Sequence, residues 1–140
     1  MATSDNVVRA GLTPKFKDVE TLIDMLTYTS KSADNQIVSG TPYLQSTTTV
    51  LYNPPIEEFS ILCTYLSPDT VKQEVFDGVK GPSIILVTEG HGRIIYSEKT
   101  FDACKGSIFF IAANTRITLE TRDCPTIFYR AYSELSKFHL

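Results

Sequence analysis

The rhythm of hydrophobic and polar positions changes at Val50. Before it, Val19, Leu22, Ile23 and Leu26 recur at i, i+3, i+4 and i+7, which predicts a helix of about three turns from Asp18 to Thr27 with one apolar face. Asp18 is a suitable N-cap, and Glu20 places a negative charge in the first turn. The pattern ends at Thr27-Tyr28-Thr29, and the apolar stripe reads as core packing. Ahead of the helix, β-branched Val7 and Val8 followed by Gly11 and Pro14 predict a short strand, Asp5 to Gly11, running into a tight turn.

From Ser30 to Thr49 the chain is rich in Ser, Thr, Asn, Gln and Gly. A connection of that length reads as a loop, either mobile or strapped over the body through Tyr43 and Leu44. From Val50 onward the pattern is that of strands. Val50-Leu51-Tyr52 leads to a corner at Pro54-Pro55, since proline cannot sit in a central strand. Phe59 to Leu66, Val71 to Phe76, Ser83 to Thr88 and Arg93 to Tyr96 follow, separated by turns at Ser67-Pro68-Asp69 and Asp77-Gly78. Glu89-Gly90-His91-Gly92 predicts a hairpin, because two glycines can take positive φ. Ile108 to Ile111 is apolar on both faces and reads as central. Arg116 to Thr121 alternates with Ile117 and Leu119 facing in, and Thr126 to Tyr132 is a last strand. Seven or eight short strands with regular turns predict a mainly β fold with one short N-terminal helix, an antiparallel sandwich or barrel, and a cupin-like jelly-roll barrel is the form expected. The chain thus divides into 1–28 (strand, turn and helix), 29–49 (loop) and 50–140 (barrel).

A chain of 140 residues, 42% hydrophobic and 21% charged, suits one soluble domain. Its net charge of −3 and pI near 5.3 carry no basic footprint, so neither nucleic acid nor an anionic membrane is an expected partner. The start has no charged n-region or apolar h-region, and no apolar run reaches the length of a membrane span, so the expected location is cytoplasmic. Cys63, Cys104 and Cys124 are odd in number and form no C-x-x-C pair, which reads as buried free thiols.

Candidate chemistry lies at the start. On a strand Asp5, Val7 and Arg9 share a face, with Asp5 and Arg9 separated by roughly 13 Å at about 3.3 Å per residue, close enough to line one cleft. Lys15 follows the Gly/Pro bend, so two cations flank a turn just ahead of a helix N-terminus, an arrangement suited to phosphate. An arginine on a strand is as a rule a solvated or ion-paired surface group, and spacing leaves both readings of Arg9, Asp5 and Lys15 open. For metal, the two histidines are poorly placed: His91 lies in a turn between glycines and His139 is one residue from the end. No metal site is therefore expected in this chain.

The run Ser4-Asp5-Asn6-Val7-Val8-Arg9-Ala10-Gly11-Leu12-Thr13-Pro14-Lys15 resembles the signature of type I phosphomannose isomerases. The resemblance continues at Asp18 to Leu22, Met25 to Tyr28, Tyr52 to Phe59, Gly81 to Ile84, Thr88 to Gly90 and Gly106 to Ala112. It implies a zinc-dependent interconversion of mannose 6-phosphate and fructose 6-phosphate through a cis-enediol, feeding GDP-mannose and glycoconjugate synthesis. It also implies an active-site role for Arg9, with Lys15 and Asp5 as substrate-binding candidates. The family's zinc ligands, two histidines, a glutamate and a glutamine, precede this signature, so the resemblance implies a C-terminal fragment whose zinc is held by a missing N-terminal region and which is inactive alone. A non-enzymatic cupin-like module that binds a sugar or a partner, with Tyr43, Tyr52, Tyr65, Tyr96, Tyr129 and Tyr132 as stacking candidates, is the alternative.

Overall fold

A computed structural model describes residues 7–9, 11–55 and 58–133 of the chain. Two units make it up, Met1–Ile37 and Val38–Leu140.

In the first unit the helix α1 spans Val19–Met25, shorter than the predicted three turns because Leu26 already adopts an extended backbone. Asp18 is its N-cap: the carboxylate accepts from the Thr21 hydroxyl at 2.8 Å and from the Thr21 N–H at 3.1 Å. The expected core stripe is not core in this unit, since Val19, Ile23 and Leu26 remain 49%, 54% and 47% exposed. Val7–Arg9 are not a strand. The Arg9 carbonyl instead accepts from the Asp18 N–H at 2.9 Å, closing the Gly11–Pro14 bend onto the cap.

The hydroxyl and amide of Thr21, in that order, hold the Asp18 carboxyl below its ordinary value, because the ionised form is the better acceptor. A carboxyl depressed in the folded state contributes stability above its unfolded pKa and loses it as pH falls through the folded one. The Thr21 amide is therefore expected to lose hydrogen-exchange protection on acidification below the usual carboxylate range. In Asp18→Ala it should be poorly protected at every pH, and equal protection in variant and wild type would remove the cap from the account.

The second unit is a jelly roll of the cupin kind: two antiparallel sheets with one core between them. The six-stranded sheet runs β1 (Thr41–Pro42), β2 (Thr49–Tyr52), β3 (Ser60–Leu66), β10 (Thr126–Tyr132), β5 (Ser83–Glu89), β8 (Ile108–Ile111). The four-stranded sheet runs β4 (Gln73–Phe76), β9 (Ile117–Thr121), β6 (His91–Tyr96), β7 (Lys99–Cys104). Period-two alternation puts Leu62, Leu66, Ile85, Val87 and Phe128 of the larger sheet against Phe76, Ile94, Ala103, Ile117 and Leu119 of the smaller, as residues on one face of each pleated strand must lie. Ile117 and Leu119 face inward as their alternation predicts.

Several details differ from the pattern-based expectation. Gly90, at φ +80°, is no hairpin turn. β5 and β6 belong to different sheets, and the glycine carries the chain from one to the other; a Cβ there would stand 2.1 Å from the Pro125 carbonyl oxygen. The hairpin lies one strand later, where β6 pairs with β7 through Tyr96 and Lys99 and Ser97 takes φ +52°. β7 gives no strand signal because Ala103 alone among its residues is buried. Ile108–Ile111 is an edge strand, not a central one. Within the stretch 29–49 lie a 3-10 turn, Ala33–Gln36, and β1. Tyr43 stacks on Phe76 with centroids 6.2 Å apart, while Leu44 is 82% exposed.

Candidate functional site

Arg9 is half-buried and Lys15 exposed, on either side of the Gly11–Pro14 bend; Asp5 lies outside the described residues. The Lys15 N–H donates to the Thr13 hydroxyl at 3.2 Å, which orders the backbone at the end of the bend. At the positive end of α1 the Asp18 carboxylate already takes the Thr21 amide, so a phosphate held here would rest mainly on the side chains of Arg9 and Lys15.

In the second unit the polar groups cluster inside. Glu74, on the inner side of β4, accepts from the hydroxyls of Thr48 and Thr49, the latter at 2.6 Å, and Thr49 is joined to Thr64 at 2.8 Å. Arg130, on the inner side of β10, is 2% exposed, and its Nε donates to Ser83 Oγ at 3.0 Å. Neither Glu74 nor Arg130 figures in the sequence reading. Arg130 had a signal: it falls at an inward position between Phe128 and Tyr132 on an alternating strand, where a charge is rare. The candidate tyrosines scatter. Tyr132 is buried, Tyr43 and Tyr52 are half-buried, and Tyr65, Tyr96 and Tyr129 are exposed.

Among the described residues no group of three or more His, Cys, Asp or Glu side chains could hold a metal ion. His91 is half-buried at the start of β6, and His139 lies outside the described residues. This donor set does not fit a zinc centre, which needs three or four converging ligands. The cysteines are free thiols, but none is buried as expected: Cys63 and Cys124 are half-buried and Cys104 is exposed. A hydrogen bond with Cys63, and the charge of that group, raise the Tyr129 phenol above its ordinary value.

The outer face of the larger sheet is apolar over two cross-strand rows. Phe110, Ile84, Ala131, Ile61 and Tyr52 face one another across five strands, and Ile108, Leu86, Tyr129, Cys63 and Val50 form the parallel row. Phe110 is 72% and Ile108 69% exposed. The exposed part of these rows, on β8 and β5, is an apolar patch of the kind that interaction surfaces use, whereas scattered exposed apolar residues carry no such meaning. Among the described residues no helix is long and apolar enough to cross a membrane.

The family described as phosphomannose isomerase type I, C-terminal, matches residues 49–99. A mannose-6-phosphate isomerase of Eremothecium gossypii is 45% identical over 137 residues, 96% of this chain and 32% of that protein. One from Saccharomyces cerevisiae is likewise 45% identical over 137 residues, with the same 96% and 32%. The apo mannose 6-phosphate isomerase of Salmonella typhimurium has the same fold, with a TM-score of 0.72 at 24% identity over 96% of this chain and 32% of that one. The chain thus spans about a third of the length of the curated relatives it matches.

Proposed function

We propose, on the premise that this chain carries the C-terminal domain of the type I phosphomannose isomerase family, that it works as the C-terminal part of an aldose–ketose isomerase interconverting mannose 6-phosphate and fructose 6-phosphate. The observation that supports this most is the reach of the similarity: 45% identity runs over 96% of the chain. In this reading a proton moves between C2 and C1 of the open-chain sugar phosphate through a cis-enediol. Negative charge grows on the enediol oxygens while the phosphate keeps its own. Arg9, always protonated and able to donate two parallel hydrogen bonds, holds the developing oxyanion. Lys15 contacts the phosphate, and Asp5 orients or shuttles a proton.

The zinc implied for the family-length enzyme would be held by a region outside these residues, where it would supply a Lewis acid for the enediol oxygens. That region is also the partner best suited to the apolar outer face of the larger sheet and to the exposed stripe of α1. The product would supply GDP-mannose and glycoconjugate synthesis in the cytoplasm.

The test is a coupled isomerase assay on the 140-residue chain with added zinc, and on a chimera joining it to the remaining two thirds of the Saccharomyces cerevisiae relative. No turnover alone and turnover in the chimera is the expected result. Activity of the chain alone would overturn the assignment of zinc to another region. A folded, zinc-loaded but inactive chimera would overturn the enzymatic reading in favour of a sugar- or partner-binding module.

A further inference from the structure

The interior of the jelly roll contains a charge that the protein leaves half-answered. Arg130 pairs across β10 with Leu62 of β3 and Ile85 of β5, both fully buried. Its Nε is satisfied by a neutral partner, Ser83 Oγ, and its guanidinium carbon lies 5.8 Å from the Phe76 ring centroid. Nη1 and Nη2 are buried and have no hydrogen-bond partner in the protein. The ion pairs among the described residues join Arg93 to Glu120, Arg116 to Asp77 and Arg122 to Asp102, so Arg130 is in none of them. Glu74, the acid on the inner side of β4, is engaged by threonine hydroxyls.

A buried charge is costly unless it is paired and hydrogen-bonded. Most buried groups escape by neutralising themselves, but a guanidinium does not lose its proton in proteins. Burial lowers the pKa of Arg130, and the nearby phenols of Tyr43 and Tyr132 act in the opposite direction. The Phe76 ring offers its electron-rich face and eases the charge, yet it accepts nothing from the in-plane N–H groups of Nη1 and Nη2. What those donors require is an acceptor with negative charge in the plane of the fork.

We propose that Arg130 anchors an internal anion site, in which Nη1 and Nη2 hold one small monovalent anion of chloride, nitrate or formate size. The size follows from burial: a side chain 2% exposed between Leu62 and Ile85 leaves a sugar phosphate no approach. The site is separate from Arg9 and does not depend on the isomerase reading; its role is to complete the core of the jelly roll, making its stability dependent on the anion.

The 140-residue chain in sodium gluconate is titrated with chloride at constant ionic strength while its thermal midpoint is followed, and crystals are soaked in bromide. Because an anion bound only by the folded state stabilises it by mass action, the midpoint should rise with chloride, and the rise should vanish in Arg130→Met. Bromide should give an anomalous peak within hydrogen-bonding distance of Nη1 and Nη2. The proposal is overturned if no bromide peak lies at Arg130, or if Arg130→Met keeps the wild-type chloride dependence. Should that variant fail to fold, the wild-type bromide position decides alone.

Discussion

Arg9→Ala in a family-length isomerase built on this chain is expected to lower kcat by about 10²–10³-fold, with the fold and metal content unchanged. A guanidinium aimed at charge that appears only in the transition state contributes to kcat more than to KM, and removing one such donor typically costs about 3–4 kcal/mol. The fold should survive because the Arg9 backbone carbonyl makes the structural contact, the 2.9 Å bond from the Asp18 amide, and alanine keeps that carbonyl. Arg9→Lys should recover little, since a single ammonium cannot reproduce two parallel donors. Lys15→Ala should act mainly on KM, because a phosphate contact is made equally in the ground and transition states. A normal kcat in Arg9→Ala, with circular dichroism and zinc content like those of the wild type, would end the assignment.

Arg9 stands out by resemblance alone. No local rule singles it out: a lone arginine beside a Gly/Pro bend looks like any solvated cation, and the bend is not preceded by a strand over Val7–Arg9. Resemblance to a family motif brought it forward. The antiparallel β architecture, by contrast, is legible in the pattern of strands and turns, while its jelly-roll form rests on the resemblance as well. Residues 117–121 alternate, and alternation is a direct imprint of one face on a core, whereas 60–66 and 83–89 carry apolar residues on both faces and read as strands by their β-rich composition and the turns that bound them. The errors arose where one observable has two causes. The run Ile108–Ile111 is apolar on both sides, which a central strand requires, yet an edge strand on a sheet whose outer face is also apolar shows the same run. The glycines at 90 and 92 mark a tight reversal and a close approach, but a local signal cannot say whether the next strand rejoins its own sheet. Likewise the stripe of α1 is amphipathic by spacing, and spacing does not say what the stripe covers.

The outer face and the core make opposite predictions for two phenylalanines of similar appearance in the sequence. Phe128 is fully buried in the middle of β10, and a Cβ added at Gly92 would come within 3.1 Å of its ring, so the glycine in β6 and the ring in β10 are fitted to each other. Phe128→Ala is expected to cost about 3–5 kcal/mol, the range for a buried aromatic truncated in a core that closes only partly around the gap. That is a large share of the roughly 5–15 kcal/mol that holds an ordinary domain together. Phe110, 72% exposed on β8, should tolerate alanine within about 0.5 kcal/mol in this chain. Urea unfolding of both variants checks the contrast, with equal slopes required for the midpoints to be compared; comparable losses would mean that Phe110 is packed. In the chimera the expectation for Phe110 changes. If the rest of a family-length enzyme covers the apolar rows led by Phe110 and Ile108, Phe110→Ala becomes destabilising there while remaining neutral in the 140-residue chain. Neutrality in both contexts would show that the rest of the enzyme does not cover Phe110.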